Sequence, residues 1–258
     1  MLLVVTEMSG AGKSTLLKRL ASRGYKTVET HAYPSLRRFV PRAGLTWPLV
    51  ASRRGDSAVW HNTTHDWAVR VDLAHLTAIR QDPAGFAPTG AIHLSLEVLA
   101  YVADEAACGH GGGCRVSLFP DGSISIADDG RGTDTRRDPS GLVVKKPVLS
   151  SKDIRFFDSP RAQLLPDGHS RRGMSVVAAL SEWIVHVNRR DEGSWSQRYE
   201  HGVPVTDLVP ISDDESTGTT VHFRPDPRLL DPQVGPDEIS RLASAWTNLD
   251  VETRDLRP

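Results

Sequence analysis

The sequence predicts an α+β fold, a two-layer sandwich of helices on a mixed sheet. Two observations predict it. Stretches with the helical period and stretches with the strand period are grouped along the chain rather than alternating, which argues against a repeating parallel sheet. A long apolar helical stretch, residues 92–107, also runs into two alternating stretches, 115–119 and 123–128. Pro120-Asp121-Gly122 separates these two as a hairpin signal.

In chain order, residues 2–6 read as an apolar strand and residues 14–23 as a helix stopped by Gly24, with residues 25–30 suited to a second strand. From 31 to 67 neither period persists and Pro34, Pro41 and Pro48 interrupt the pattern, so this stretch is an irregular connector. Order returns near Val69. Residues 72–80 form a short helix and 82–90 a Pro/Gly loop. The helix at 92–107 sets Leu94, Val98 and Val102 on one face. After the hairpin, residues 133–168 are a long polar segment rich in prolines and glycines. A helix at 173–182 follows, then strands at 183–189, 194–200 and 219–224. Pro236-Asp237-Glu238 opens the last helix with Pro near its start and acids in its first turn, and residues 251–257 form a closing strand. The expected organisation is a strand-turn-helix segment at 1–35, a connector at 36–69 and the main domain at 70–258.

Composition suits this plan. The chain has 258 residues, 39% apolar and 24% charged, enough to bury a core. A net charge of −1 gives no sequence-wide attraction to DNA or to an anionic membrane. No apolar run approaches the ~20 residues of a membrane span. Met1-Leu2-Leu3-Val4-Val5 lacks a basic flank and a small-residue cleavage site, so it reads as a strand rather than a signal peptide. Two cysteines suit a reducing cytoplasm, the expected location. Cys108, His110 and Cys114 are one ligand short of a closed zinc site and read as loop residues with free thiols.

The chemistry-bearing residues cluster around the long helix and the hairpin. Glu97, Tyr101, Asp104 and Glu105 fall at i, i+4, i+7 and i+8, so they share one helical face. Alone, such a face is equally an ordinary solvated one. Asp128 ends a strand just before Gly130 and Gly132. A carboxylate there can accept a hydrogen bond from an exocyclic amine, while the glycines let the backbone approach a ligand. An isolated Asp-x-Gly-x-Gly is common in turns. The information lies in its order relative to the acidic helix before it and to Thr217-Gly218-Thr219 after it.

Taken together, these motifs resemble the N-terminal ATPase domain of the DNA gyrase B protein and its topoisomerase relatives, the GHKL ATPases with the Bergerat fold. The resemblance covers about residues 70–257. It runs through Leu76-Thr-Ala-Ile-Arg80, Glu97, Asp104-Glu105-Ala106, Asp121-Gly-Ser-Ile-Ser-Ile126 and Asp129-Gly-Arg-Gly132. It continues in Ser175-Val-Val-Ala-Ala-Leu-Ser-Glu182, Tyr199-Glu-His-Gly-Val-Pro204, Thr217-Gly-Thr219 and Asn248-Leu-Asp-Val-Glu-Thr-Arg-Asp255. By that resemblance Glu97 is the general base that activates water and Asp128 the adenine-binding aspartate. Gly130 and Gly132 lie beneath the nucleotide, Arg131 beside the base, and Thr219 near adenine. Gly173 ends the run matching the phosphate-wrapping lid.

Two departures alter what the resemblance implies. The family places an Asn that binds Mg²⁺ where this chain has Tyr101, and a neutral phenol is a poor ligand for a hard cation. The glycine-rich lid is replaced by Asp167-Gly168-His169-Ser170-Arg171-Arg172-Gly173, which weakens a backbone phosphate cradle, although Arg171 and Arg172 can supply charge. The chain also ends where the relatives enter the transducer domain, whose lysine reaches the γ-phosphate, and it carries no DNA-cleaving part. The implied function is ATP binding with weak or no hydrolysis. Mg²⁺ lacks its usual ligand. The implied partner is a second copy of the chain or a protein supplying the missing topoisomerase domains.

A second nucleotide signal sits at Ser9-Gly-Ala-Gly-Lys-Ser14. Gly10, Gly12, Lys13 and Ser14 fit a P-loop, but Glu7 replaces its first glycine and sets a carboxylate where phosphate would lie. The expectation is a structural appendage. A P-loop kinase or NTPase run from Lys13 is one alternative function, and a non-catalytic interaction module using nucleotide as a structural ligand is another.

Overall fold

The computed structural model describes residues 71–137, 143–157, 163–191, 193–230 and 235–258. The strand-turn-helix segment and the connector expected before residue 70 therefore lie outside the described residues, as do Gly10, Gly12, Lys13 and Ser14.

The chain opens with helix α1 (Leu73–Gln81), capped by the Asp72 carboxylate, which accepts from the His75 N–H, as expected of an Asx cap. A short helix α2 (Pro83–Phe86) occupies part of the expected loop: Pro83 starts it and the Asp82 side chain caps it. Helix α3 (Ala91–Ala107) is the core helix, with twelve of its residues buried. Residues Pro83–Ala107 are long and apolar enough to cross a membrane by composition, but most of this stretch is buried inside the fold, as a core helix must be.

Strands β1 (Gly113–Leu118) and β2 (Ile124–Asp128) form the expected hairpin. The polar segment at 133–168 holds more order than its composition indicates. It contains the separate hairpin β3 (Thr135–Arg137) and β4 (Val143–Lys145), and the one-turn helix α4 (Ile154–Phe157). Helix α5 (Met174–Ala179) is shorter than expected, because the strand β5 (Ser181–Arg189) begins two residues after it. Then come β6 (Trp195–Glu200), the two-residue strands β7 (Val203–Pro204) and β8 (Val209–Pro210), and β9 (Gly218–Pro225). A 3₁₀ turn (Pro227–Leu229), α6 (Pro236–Ala243) and β10 (Asp250–Asp255) complete the fold.

The main sheet has eight strands, in the order β10-β1-β2-β9-β5-β6-β7 with β8 also on β6. Every pairing is antiparallel except β1 with β10, so the sheet is mixed. The helices lie against one face. Leu94, Leu96, Leu99, Val176, Leu180, Ile184 and Phe223 pack there with almost no exposure, and this interface is the hydrophobic core. The two-layer α+β sandwich is the predicted fold class.

Candidate functional site

The inner face of the sheet changes character along three neighbouring strands. Because successive side chains alternate between faces, the inward positions of β2 are Ile124, Ile126 and Asp128. Those of β9, read backwards, are Phe223, Val221 and Thr219, and those of β5 are Ile184, His186 and Asn188. Register sets Ile124 and Ile184 on either side of Phe223, Ile126 and His186 on either side of Val221, and Asn188 beside Thr219. Each strand thus runs from apolar to polar, and the core ends in a polar floor.

Above this floor is a cavity of about 190 Å³, closed on its far side by Tyr101, Asp104 and Glu105 of α3. Val98, Val102, Leu149 and Met174 give it apolar walls, and Arg131, Gly132, Lys146 and Arg155 stand on its rim. Of the residues expected at the site, Asp128, Arg131, Gly132 and Thr219 line this cavity.

Asp128 is held by its neighbours. Its Oδ1 accepts from the N–H of Gly130 at 2.8 Å and from that of Thr219 at 3.2 Å, while Oδ2 has no donor among the described residues. Gly130 is required by this contact, since a Cβ there would lie 2.9 Å from Oδ1. Burial pushes the Asp128 carboxyl up to about 6, although the two backbone hydrogen bonds work against the rise. Arg131 forms a two-pronged pair with Glu105, at 2.8 and 2.9 Å, which makes one wall rigid. Asn188 Oδ1 accepts from the Thr133 N–H at 2.5 Å and so ties the turn after β2 to β5.

Glu97 is not in the cavity. It is fully buried beneath the lid segment, 0% exposed. Its two oxygens accept the backbone N–H groups of Arg172 and Gly173, the latter at 2.8 Å. His93, one turn earlier, sets Nε2 3.5 Å from Glu97 and Nδ1 2.7 Å from Asp167. Burial opposes a charge on His93, but the hydrogen bond to Asp167 and the nearby Glu97 raise its pKa to about 9. Gly173 must be a glycine: its φ is +92° and a Cβ would meet the Tyr101 hydroxyl at 3.0 Å.

The lid arginines behave differently from the expectation. Arg171 is 1% exposed and its guanidinium is engaged by both oxygens of Asp104, at 3.2 and 2.9 Å, and by Gln163. Arg172 lies over the Phe157 ring. Neither lines the cavity, because the lid turns them onto α3 and α4. The rim cation supplied instead is Arg155, which sequence reasoning passed over inside the polar segment, together with its partner Asp153. Cys114 faces the core on β1 with its thiol pushed up to about 12 by burial, and Cys108 is exposed at the end of α3. Among the described residues no group of three or more His, Cys, Asp or Glu side chains is arranged to hold a metal ion.

The family's Mg²⁺ can be tested against this geometry. Tyr101 donates its O–H to Asp153 at 2.9 Å. Burial first, and then the Asp153 carboxylate, push the phenol well above its ordinary value, so it stays a neutral donor. Two guanidinium groups lie over its ring, Arg171 at 4.6 Å and Arg155 at 5.7 Å. These residues do not fit a hard cation that needs octahedral oxygen ligands.

No family model matches the chain. It is 35% identical over 175 residues to the GyrB-type protein of Thermotoga maritima, the B component of its DNA gyrase, a match covering 64% of this chain and 27% of that protein. It is 34% identical over 163 residues to the B component of DNA topoisomerase 4 of Bacillus subtilis, covering 61% and 25%. The chain therefore spans about a quarter of the length of these relatives. Among solved structures, the topoisomerase IV ATP-binding domain of Francisella tularensis, in complex with a small-molecule inhibitor, matches with a TM-score of 0.57 and 23% identity, over 70% of this chain and 50% of that one. The chain has the two-layer α+β fold of a topoisomerase ATP-binding domain, and in sequence it resembles the GHKL ATPases of the gyrase B type.

Proposed function

We propose that the cavity binds the adenine end of ATP and that this chain is an ATP-binding relative of type II topoisomerase ATPase domains. The single observation that supports this best is Asp128: one oxygen is fixed by two backbone donors and the other is left for a ligand amine, at the polar end of an otherwise apolar slot. The enclosed volume of about 190 Å³ is below the ~300–1,000 Å³ of complete small-molecule sites, which suits a base held inside with its phosphates at the rim. Thr219 and the Arg131–Glu105 wall would border the base, and Gly130 and Gly132 would pass beneath the sugar. By the same resemblance the chain would associate with a second copy of itself or with a protein carrying other topoisomerase functions.

Calorimetric titration with ATP tests this reading. Binding to the wild type and to Lys13→Ala alike supports the cavity, whereas loss of all binding in Lys13→Ala would transfer the site to the N-terminal P-loop-like run. A pH series adds a second check. The amine needs an ionised acceptor, and the folded carboxyl titrates near 6, so affinity should be level above neutrality and fall as pH drops through about 6. At pH 5 about a tenth of the sites would be competent, an affinity loss of about tenfold. Affinity unchanged between pH 7.5 and 5 would remove Asp128 from the contact.

Hydrolysis is expected to be very slow. Both oxygens of Glu97 are taken by lid amides, and the residues around Tyr101 suit no metal that could offset charge developing on the γ-phosphate. The expected result is phosphate release near the uncatalysed background in wild type, unchanged in Glu97→Gln. Brisk Mg²⁺-dependent release that Glu97→Gln abolishes would contradict it.

A further inference from the structure

We infer that an internal guanidinium pair, Arg155 and Arg171, replaces the divalent cation at this nucleotide site, and that the site takes the metal-free polyphosphate, with Arg155 as its anion contact. The inference rests on the adenine-nucleotide reading above and extends it to the form of the ligand.

Both guanidinium groups lie over two aromatic rings. Arg171 is 4.6 Å from the Tyr101 centroid and 4.4 Å from that of Phe156; Arg155 is 5.7 and 4.7 Å from the same two. Planar guanidinium groups suit such positions, and an ammonium would not. Two adjacent positive charges require counter-charge, and two carboxylates supply it. Asp104 takes both prongs of Arg171. Asp153, 1% exposed on its side chain, takes the Tyr101 hydroxyl together with Nε and Nη2 of Arg155, at 3.0 and 2.8 Å. Burial works against the charge of Arg155, but these bonds to Asp153 more than offset it and hold the group above its ordinary pKa.

The cluster is thus charge-balanced without a metal. A cation approaching the rim would meet Asp104, which is 41% exposed but already bonded to Arg171, and would face both guanidinium groups at short range. An anion is received differently. Arg155 lines the cavity, its side chain is 36% exposed, and Nη1 stands 3.7 Å from Asp104, beyond hydrogen-bond distance. That nitrogen is positioned to donate to a phosphate oxygen, and Lys146 stands on the same rim.

The test is calorimetric titration of the full chain with ATP and with adenosine, each in excess EDTA and in excess Mg²⁺. ATP should bind in EDTA at least as tightly as in Mg²⁺. Arg155→Gln should weaken ATP in EDTA by about tenfold, the loss of one charge-assisted hydrogen bond, while leaving adenosine affinity unchanged. Arg155→Lys, which keeps the charge, should recover part of the loss, and adenosine binding reports that each variant is folded. A tenfold or greater gain in wild-type ATP affinity on adding Mg²⁺ would overturn the inference, as would equal ATP affinities in wild type and Arg155→Gln. Failure of adenosine and ATP to bind the wild type under either condition would instead overturn the adenine-nucleotide reading itself.

Discussion

Asp128→Ala is expected to lower ATP affinity by roughly five- to a hundredfold, the equivalent of about 1–3 kcal/mol for a ligand amine left without its acceptor. The loss should appear equally with ATP, ADP and adenosine, because the contact is to the base. Stability should change little by comparison. Asp128 sits at a strand end, and the N–H groups it now bonds, those of Gly130 and Thr219, border a cavity that admits water. Asp128→Asn presents one acceptor and one donor in the same place and should fall between. Equal adenosine affinity in wild type and Asp128→Ala would show that the base, if it binds, does so elsewhere.

The largest stability effect outside the apolar core is expected from Asp104→Ala. It would leave the Arg171 guanidinium, 1% exposed, with Gln163 as its remaining side-chain hydrogen-bond partner among the described residues and with Arg155 close by. Breaking a buried pair from the exposed side strands a buried charge, which costs about 3 kcal/mol. Arg171→Met is the informative contrast. It removes the buried charge and leaves Asp104 partly solvated, so it should cost distinctly less although it deletes the same pair. Urea unfolding reads both. If Asp104→Ala unfolds within about 0.5 kcal/mol of wild type, the range of neutral surface changes, the guanidinium is reached by water and the pair carries little.

Much of the fold and of the base-binding half of the site could be read in one dimension. The strand period assigns Ile124, Ile126 and Asp128 to one face, and the helical period assigns Tyr101, Asp104 and Glu105 to one face, before any contact is known. Pro120-Asp121-Gly122 fixes the hairpin that lays β1 against β2. These features are local, and local sequence sets them because each depends on side-chain direction within a single element. The shortened α5 and the small helices α2 and α4 were less legible, since end positions and one-turn helices depend on what packs beside them.

The phosphate side was decided by tertiary structure. Asp153 and Arg155 lie in a segment whose composition reads as loop, 52 positions from Tyr101 in the case of Asp153, and nothing periodic marks them. Arg171 carried the right charge for a phosphate, but folding turns it onto Asp104, 67 positions away, and the rim charge comes from Arg155 instead. Glu97 is similar: its helical face was predictable, but its burial under the amides of Arg172 and Gly173 was not. Sequence alone determined which residues can accept, donate or carry charge, because that is intrinsic to each side chain. Only the packed fold decided which of them meet, because the energy of a charge pair depends on a distance and a degree of burial that long-range packing creates.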